Sequence, residues 1–207
     1  MTYRLYHRPG WGSAVIEAAL LVAGLDYLTS ASGDPKKKMP PIRKVNPLGQ
    51  YPTLILPDGT YMSESAAILL HLGDIAPKAG LVPPAGDPTR DQFLRLLITI
   101  VGAIYPTFTY ADYPEQYVSS AKAQKELVDN SRERRKRIWR QIEAAITPSP
   151  WVLGKRFSCL DLYVAVMTHW GPGRQWFAEE CPKLMSVAHA ADAIPVLAPM
   201  WKRNFGS

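Results

Sequence analysis

The first third of the chain alternates between the apolar spacing of strands and that of helices. A short apolar run, residues 3–6, predicts a strand, and turn-forming residues 9–12 separate it from a helix predicted over 13–25. The inward face of that helix carries apolar residues three and four positions apart, namely Val15, Ile16, Ala19, Leu20 and Ala23. Gly24 ends the helix, and residues 27–29 predict a second strand parallel to the first, which completes a βαβ unit.

A hairpin is predicted further along this half of the chain. Pro52 stands directly before the apolar run 53–56, and a proline at the first residue of a strand removes no ladder hydrogen bond. The pair Asp58 and Gly59 is typical of a tight turn, so residues 61–62 predict an antiparallel partner strand. With the helices on either side, the predicted order of elements is β-α-β-α-β-β-α.

The helix after this hairpin begins with a polar segment suited to a carboxylate ligand. The segment is Ser63, Glu64 and Ser65, and the apolar face that follows consists of Ala67, Ile68, Leu69, Leu72 and Ile75. A helix N-terminus offers unpaired N–H groups and a partial positive charge, which together bind an anion. If the bond between Tyr51 and Pro52 is cis, the backbone of Tyr51 faces outward toward a peptide-like ligand. A plain strand entry and a plain helix cap are the structural alternatives for these residues.

The remainder of the chain predicts helices only. A segment rich in Pro, Gly and Ala, residues 76–88, predicts a linker, and a helix opens near Asp87 or Thr89. Its apolar face consists of Phe93, Leu96, Leu97, Ile100 and Ile104. A second long helix is predicted over roughly 115–146.

A third helix in this half has a strong N-terminal signature. Ser158 and Asp161 have the spacing of a capping box, and Phe157 is placed to pack onto Leu162. We therefore assign Ser158 and Asp161 to folding and not to catalysis. Cys159 is expected to be a small buried hydrophobe and not a nucleophile.

Composition and length agree with this organisation. The chain has 207 residues, 47% of them hydrophobic, which is enough to bury the cores of two small domains. We expect an α/β domain over 1–77, a linker over 78–88 and an all-helical domain over 89–207. Only two cysteines occur, Cys159 and Cys181, so we expect a reducing compartment, no disulfide framework and no metal. No apolar run approaches 18 residues and no secretory signal opens the chain, so a cytoplasmic protein without a membrane partner is expected.

The formal net charge of +6 raises the question of an anionic partner. One basic cluster contains residues 36–38 with Arg43 and Lys44, and the other is the run 132–137 with Arg140. The second run lies in a helical pattern and is expected to occupy mostly a solvated face. No interleaved aromatic residues accompany it, so nucleic acid is not the partner that we predict. A Lys or Arg of the first cluster is a candidate partner for a ligand carboxylate.

Taken in order, the proline-led strand, the Asp-Gly turn and the Ser63-Glu64-Ser65 helix start resemble the glutathione-binding half of the cytosolic glutathione transferases. The capping segment 157–165 resembles a motif of their C-terminal domain, so the resemblance covers nearly the whole chain. It implies a thioredoxin-like α/β domain followed by an all-α domain, and commonly a homodimer. It also implies that glutathione is a co-substrate, bound by Gln50, Tyr51, Pro52, Glu64 and Ser65.

The same resemblance implies a group near the first helix that activates the glutathione thiol. Gly12 occupies the position of the cysteine used by some bacterial classes, and Trp11 that of the serine used by others, so neither chemistry is expected. Two hydroxyl donors remain: Ser13, at the start of the first helix, and Tyr6, at the end of the first strand. Both also have structural alternatives, as a helix cap and as a core residue.

An electrophilic substrate is expected to bind between the two predicted domains. The resemblance implies a pocket that contains Trp11, Tyr105, Phe108 and Thr109, and aromatic walls suit flat or apolar molecules. Because the activating window is unusual, a non-catalytic protein-interaction or regulatory module that retains the glutathione site is the alternative to a transferase. A nucleic-acid-associated protein that uses the basic run is a more remote alternative.

Overall fold

A mixed four-stranded sheet organises the N-terminal part of the computed structural model, which describes residues 2–30 and 39–206. The strands are β1 (Tyr3–Tyr6), β2 (Tyr27–Thr29), β3 (Thr53–Ile55) and β4 (Tyr61–Met62). Their order across the sheet is β2-β1-β3-β4; β1 is parallel to β2 and antiparallel to β3, and β3 is antiparallel to β4. The βαβ unit and the hairpin predicted from the sequence are both confirmed.

Two helices accompany the sheet, α1 (Ser13–Val22) and α2 (Ser65–Ile75). The first eight residues of α1 are all buried because the helix packs against α2 and against the helical domain as well. Between β2 and β3 the described residues contain only a 3₁₀ turn, Ile42–Lys44, where the predicted order placed a second helix. The segment 31–38, which includes most of the first basic cluster, lies outside the described residues.

After α2, every named element in the described part of the chain is helical, as expected for the second domain. The α-helices are α3 (Arg90–Thr99), α4 (Tyr105–Asp112), α5 (Ala121–Ala145), α6 (Cys159–Thr168), α7 (Arg174–Glu180), α8 (Pro182–Asp192) and α9 (Ala198–Phe205). A π-helical turn, Ile100–Ile104, joins α3 to α4, so that the predicted helix continues further than its apolar pattern indicated. The thioredoxin-like α/β domain and all-α domain are therefore present.

The helical segment 90–112 is long and apolar enough to cross a membrane by length and composition alone. In the structure α3 packs against α6, and α4 packs against α5. Both helices are thus elements of the helical domain.

The N-terminus of α6 has the predicted capping box. The Asp161 carboxylate accepts hydrogen bonds from the backbone N–H groups of Ser158 and Val152, each at 2.7 Å. Burial raises the pKa of this carboxyl to about 7, while these hydrogen bonds act in the opposite direction. Every residue of α6 is buried, so the cap holds the central helix of this domain at its start.

A buried polar network ties the sheet domain to the last helix. Glu17 of α1 accepts hydrogen bonds from Arg203 at 2.7 Å and from Asn204 at 2.8 Å, and its carboxylate lies 3.0 Å from Nε2 of His7. Burial by itself would raise the pKa of Glu17, but His7, Arg203 and Asn204 together lower it to about 2. The network holds α9 against α1 and against His7, which directly follows β1, next to the turn that begins the candidate site.

Candidate functional site

A continuous series of contacts joins the polar segments singled out in the sequence. The rings of Tyr51 and Trp11 meet edge to face with centroids 6.4 Å apart. Gly12 lies against the Tyr105 hydroxyl, and the Tyr105 ring meets that of Tyr163 with centroids 6.2 Å apart. The series ends at Ser65, which receives a hydrogen bond from Tyr163. The structure thus brings the turn before α1, the loop before β3 and the start of α2 together beside the helical domain.

The loop before β3 presents the backbone of Tyr51. The Tyr51–Pro52 bond is cis, which is the condition stated above for a Tyr51 backbone that faces outward. Among the described residues, neither the N–H nor the C=O of Tyr51 takes part in a hydrogen bond. Buried Asn46 donates to the Thr53 hydroxyl at 2.9 Å, and that hydroxyl donates to the Gln50 carbonyl at 2.8 Å. These bonds hold the loop in shape, while the Gln50 side chain remains exposed.

The start of α2 combines a strained residue with an oriented hydroxyl. Glu64 is exposed and has φ = 63° and ψ = 105°, the one positive φ at a non-glycine among the described residues. Such a conformation costs about 1–3 kcal/mol and concentrates at functional sites. Ser65 accepts a 2.7 Å hydrogen bond from the buried Tyr163 hydroxyl, 98 positions later in the chain. Within the described residues the Ser65 hydroxyl donates to no other group, so its proton is available to a ligand.

The turn before α1 is held by three side chains. Asn204 accepts a hydrogen bond from the Gly10 N–H at 3.1 Å, and the Trp170 indole donates to the Gly10 carbonyl at 2.7 Å. The Ser13 hydroxyl accepts from the Arg8 N–H at 3.0 Å and donates to the Arg8 carbonyl at 3.1 Å. Ser13 is fully buried, and its hydroxyl proton is already used inside this turn. The geometry favours its structural role over thiol activation.

Tyr6, the other predicted thiol donor, also has its hydroxyl engaged. It donates to the Pro40 carbonyl at 2.8 Å, and the residue is only 2% exposed. Burial is the main cause that raises the pKa of this phenol, so the hydroxyl remains protonated. The structure therefore places both predicted donors near the site, but neither one has a hydroxyl that is free.

Aromatic residues of the helical domain line the other side. Tyr105 meets Trp170 with ring centroids 5.7 Å apart, and Phe108 meets Trp170 at 5.2 Å. Of the four residues predicted for the electrophile pocket, Tyr105 and Phe108 share this cluster, whereas Thr109 is exposed. Trp11 lies on the opposite side, 39% exposed, with the Arg8 guanidinium 3.9 Å above its ring.

Arg135 packs against this aromatic cluster, a role that the sequence did not predict. Its guanidinium donates to the hydroxyl and carbonyl oxygens of Thr107 and to the Gly171 carbonyl, and it lies 3.4 Å from the centre of the Phe108 ring. Burial lowers the pKa of Arg135 to about 10. The basic run was expected to face solvent, and Arg135 is the exception to this. Its spacing of three and four residues from buried Ile138 and Trp139 was the signal that placed it on the inner face.

Three other residues that contact the candidate site were not predicted from the sequence: Tyr163, Trp170 and Asn204. Each lies far along the chain from the group that it contacts, and the sequence contained no local signal for these pairings.

Arg43, from the first basic cluster, is exposed and donates to the Pro47 carbonyl at 3.3 Å. No group of three metal-ligating side chains occurs among the residues that the structure describes.

Comparisons with known proteins agree with this geometry. Residues 13–75 match the model of the glutathione S-transferase N-terminal domain. An uncharacterised GST-like protein of Escherichia coli K12, YncG, is 36% identical over 97% of this chain and 98% of its own length. Glutathione S-transferase GstA of Escherichia coli O157:H7 is 28% identical over 81% of each chain.

Solved structures share the fold over the same span. A glutathione transferase homologue from Sulfitobacter with bound glutathione aligns with a TM-score of 0.78 at 24% identity, over 96% of each chain. A glutathione transferase from Methylococcus capsulatus aligns with a TM-score of 0.73 at 26% identity, over 97% of each chain. The likeness therefore extends through both the sheet domain and the helical domain.

Proposed function

This chain belongs to the glutathione transferase family, and we propose that it binds glutathione along the loop before β3 and the start of α2 and activates the thiol of glutathione for attack on an electrophile. The observation that carries the proposal is the start of α2. There the strained, exposed Glu64 and the oriented hydroxyl of Ser65 adjoin the free N–H groups of the helix terminus.

The γ-glutamyl group and the cysteinyl backbone of glutathione each have a candidate partner in this arrangement. The γ-glutamyl group carries a carboxylate and an ammonium group. The carboxylate suits the α2 terminus and the Ser65 hydroxyl, and the ammonium suits the exposed Glu64 carboxylate. The N–H and C=O of Tyr51 suit the cysteinyl backbone, with Gln50 and Pro52 beside them. The glutathione thiol then lies toward the turn before α1.

The proposed reaction is the attack of the sulfur on an electrophilic carbon. A free thiol has a pKa of about 8.5 and only the thiolate is the nucleophile, so the protein must stabilise the anion. The aromatic cluster of Tyr105 and Phe108, with Trp11 across the cleft, suits an apolar or aromatic electrophile, and Thr109 stands at its exposed edge. Such a conjugation reaction is detoxification chemistry. We also propose a homodimer in the cytoplasm, where glutathione is kept reduced.

A second candidate function is favoured by one specific observation. The hydroxyls of Ser13 and Tyr6 are both engaged in internal hydrogen bonds. A protein that binds glutathione without conjugating it, and that serves as a protein-interaction or regulatory module, would need neither of them as thiol donors. Conjugation assays with aromatic electrophiles separate the two candidates once binding has been measured.

Calorimetric titration with reduced glutathione tests the proposed site. We expect saturable binding that is lost when cysteinylglycine, which lacks the γ-glutamyl group, replaces glutathione. Ser65→Ala removes a hydrogen bond to a charged group, and its affinity should fall about ten- to a hundredfold. Glu64→Ala should also weaken binding, whereas the neighbouring Ser63→Ala is the matched control. Unchanged affinity in both Glu64→Ala and Ser65→Ala would contradict the site.

A further inference from the structure

The hydroxyl of Tyr105 is a feature of the cleft that the contacts proposed so far leave unexplained. Tyr105 is the first residue of α4, and its ring is only partly exposed. The hydroxyl oxygen is buried and has no hydrogen-bond partner within residues 2–30 and 39–206. Buried hydroxyls are almost always paired, because an unpaired one costs free energy. An unpaired hydroxyl beside the proposed glutathione site therefore points to a partner that arrives with the ligand.

Gly12 shows where this hydroxyl is aimed. The backbone of Gly12 has φ = −56° and ψ = −19°, a conformation open to any residue, so a glycine is not required for the turn. A Cβ at this position would lie 2.9 Å from the Tyr105 hydroxyl oxygen, closer than such contacts allow. The missing side chain thus makes room for the phenol, which lies directly against the N-terminus of α1.

The same N-terminus offers other groups that favour an anion. Among the described residues, the N–H groups of Gly12 and Ser13 donate to no acceptor, while that of Ala14 is bonded to the Trp11 carbonyl. A helix N-terminus also carries a partial positive charge, which is strongest within the first turn. The buried phenol hydroxyl and the helix terminus therefore meet at one place, which is suited to a small anionic atom.

We propose that the Tyr105 hydroxyl donates a hydrogen bond to the sulfur of bound glutathione and stabilises it as the thiolate, with the thiol proton released to solvent. The inference rests on the proposed function, since it presupposes that glutathione occupies the cleft. It assigns to Tyr105 the role predicted for Ser13 or Tyr6, in place of a purely apolar contact with the electrophile. Burial raises the pKa of Tyr105, so the phenol keeps its proton and acts as a donor and not as a base.

Tyr105→Phe tests this role by removing the hydroxyl alone. Ultraviolet thiolate absorbance, measured against pH with saturating glutathione, should show the pKa of the bound thiol raised by about one to two units. Affinity for S-methylglutathione, which has no ionisable thiol, should be unchanged. The melting temperature should stay the same or rise, because the lost hydroxyl has no partner in the protein. Tyr110→Phe, on the same helix but 37% exposed, is the matched control.

Gly12→Ala provides a second and independent perturbation. Its Cβ displaces the phenol without removing it, so the pKa of the bound thiol should shift in the same direction as in Tyr105→Phe. An unchanged thiol pKa in Tyr105→Phe, with normal glutathione binding, would overturn this inference and leave the proposed function intact. A shift found only in Ser13→Ala or Tyr6→Phe would overturn it as well. If the unaltered protein bound no glutathione, the proposed function would fail first, and this inference with it.

Discussion

Tyr163→Phe isolates a contact that reaches the candidate glutathione site from the other domain. The substitution removes the hydroxyl that donates to Ser65 over 2.7 Å and keeps the buried ring in place. Without this donor the Ser65 hydroxyl is free to rotate, and its proton is no longer directed toward the ligand. We expect weaker glutathione binding although Tyr163 is not among the proposed glutathione contacts, so Tyr163 acts as a positioning residue.

The magnitude follows from the type of bond that is lost. A neutral hydrogen bond contributes about 0.5–1.5 kcal/mol net, which corresponds to a roughly two- to twelvefold increase in Kd. The effect should be smaller than that of Ser65→Ala, since Ser65 keeps its own hydroxyl and is partly open to water. Tyr3→Phe, at a buried tyrosine at the other end of β1 from the site, controls for the loss of a buried hydroxyl as such.

A double-mutant cycle decides whether the effect travels through Ser65. Glutathione affinity is measured by calorimetry for Tyr163→Phe, Ser65→Ala and the double variant. If Tyr163 acts by orienting Ser65, its substitution should have almost no effect once Ser65 is alanine, and the coupling energy should exceed about 0.5 kcal/mol. The same loss of affinity in both backgrounds would refute the reasoning, because it would show that Tyr163 acts on the fold and not on the serine.

Two further predictions concern the stability of the scaffold. The pKa of Glu17 is about 2 in the folded protein and 4.5 in the unfolded chain. Ionisation of Glu17 therefore contributes on the order of 3 kcal/mol to the free energy of unfolding above about pH 4.5, and this contribution is lost as the pH falls toward 2. Glu17→Gln should therefore lower the melting temperature at pH 7 and flatten its decline in acid; a slope like that of the unaltered protein would contradict this. Asp161→Ala should destabilise the protein by about 2 kcal/mol or more, since two buried N–H groups lose their acceptor. Glutathione affinity of the folded Asp161→Ala protein should stay unchanged, whereas Asp129→Ala, at an exposed carboxylate, should leave the melting temperature unaltered.

Local signals in the sequence determined several of the elements and the segments proposed to face glutathione. The turn residues Asp58 and Gly59 specify the hairpin, and Ser158 with Asp161 specifies the start of α6, because the groups in each signal are only a few residues apart. The start of α2 at Ser65 could be read in the same way. The predicted domain boundaries and the roles of the individual site residues remain predictions.

The tertiary structure alone decided which hydroxyl groups are free. Ser13 and Tyr6 lie at the start of α1 and the end of β1, where a thiol donor was expected. Their hydroxyls, however, already donate to the carbonyls of Arg8 and Pro40. Conversely, Ser65 is oriented by Tyr163, 98 positions away, and the Tyr105 hydroxyl lies against Gly12, which is far from it in the sequence. The availability of a hydrogen-bond donor depends on every group within about 3 Å of it, and folding brings those groups from distant parts of the chain.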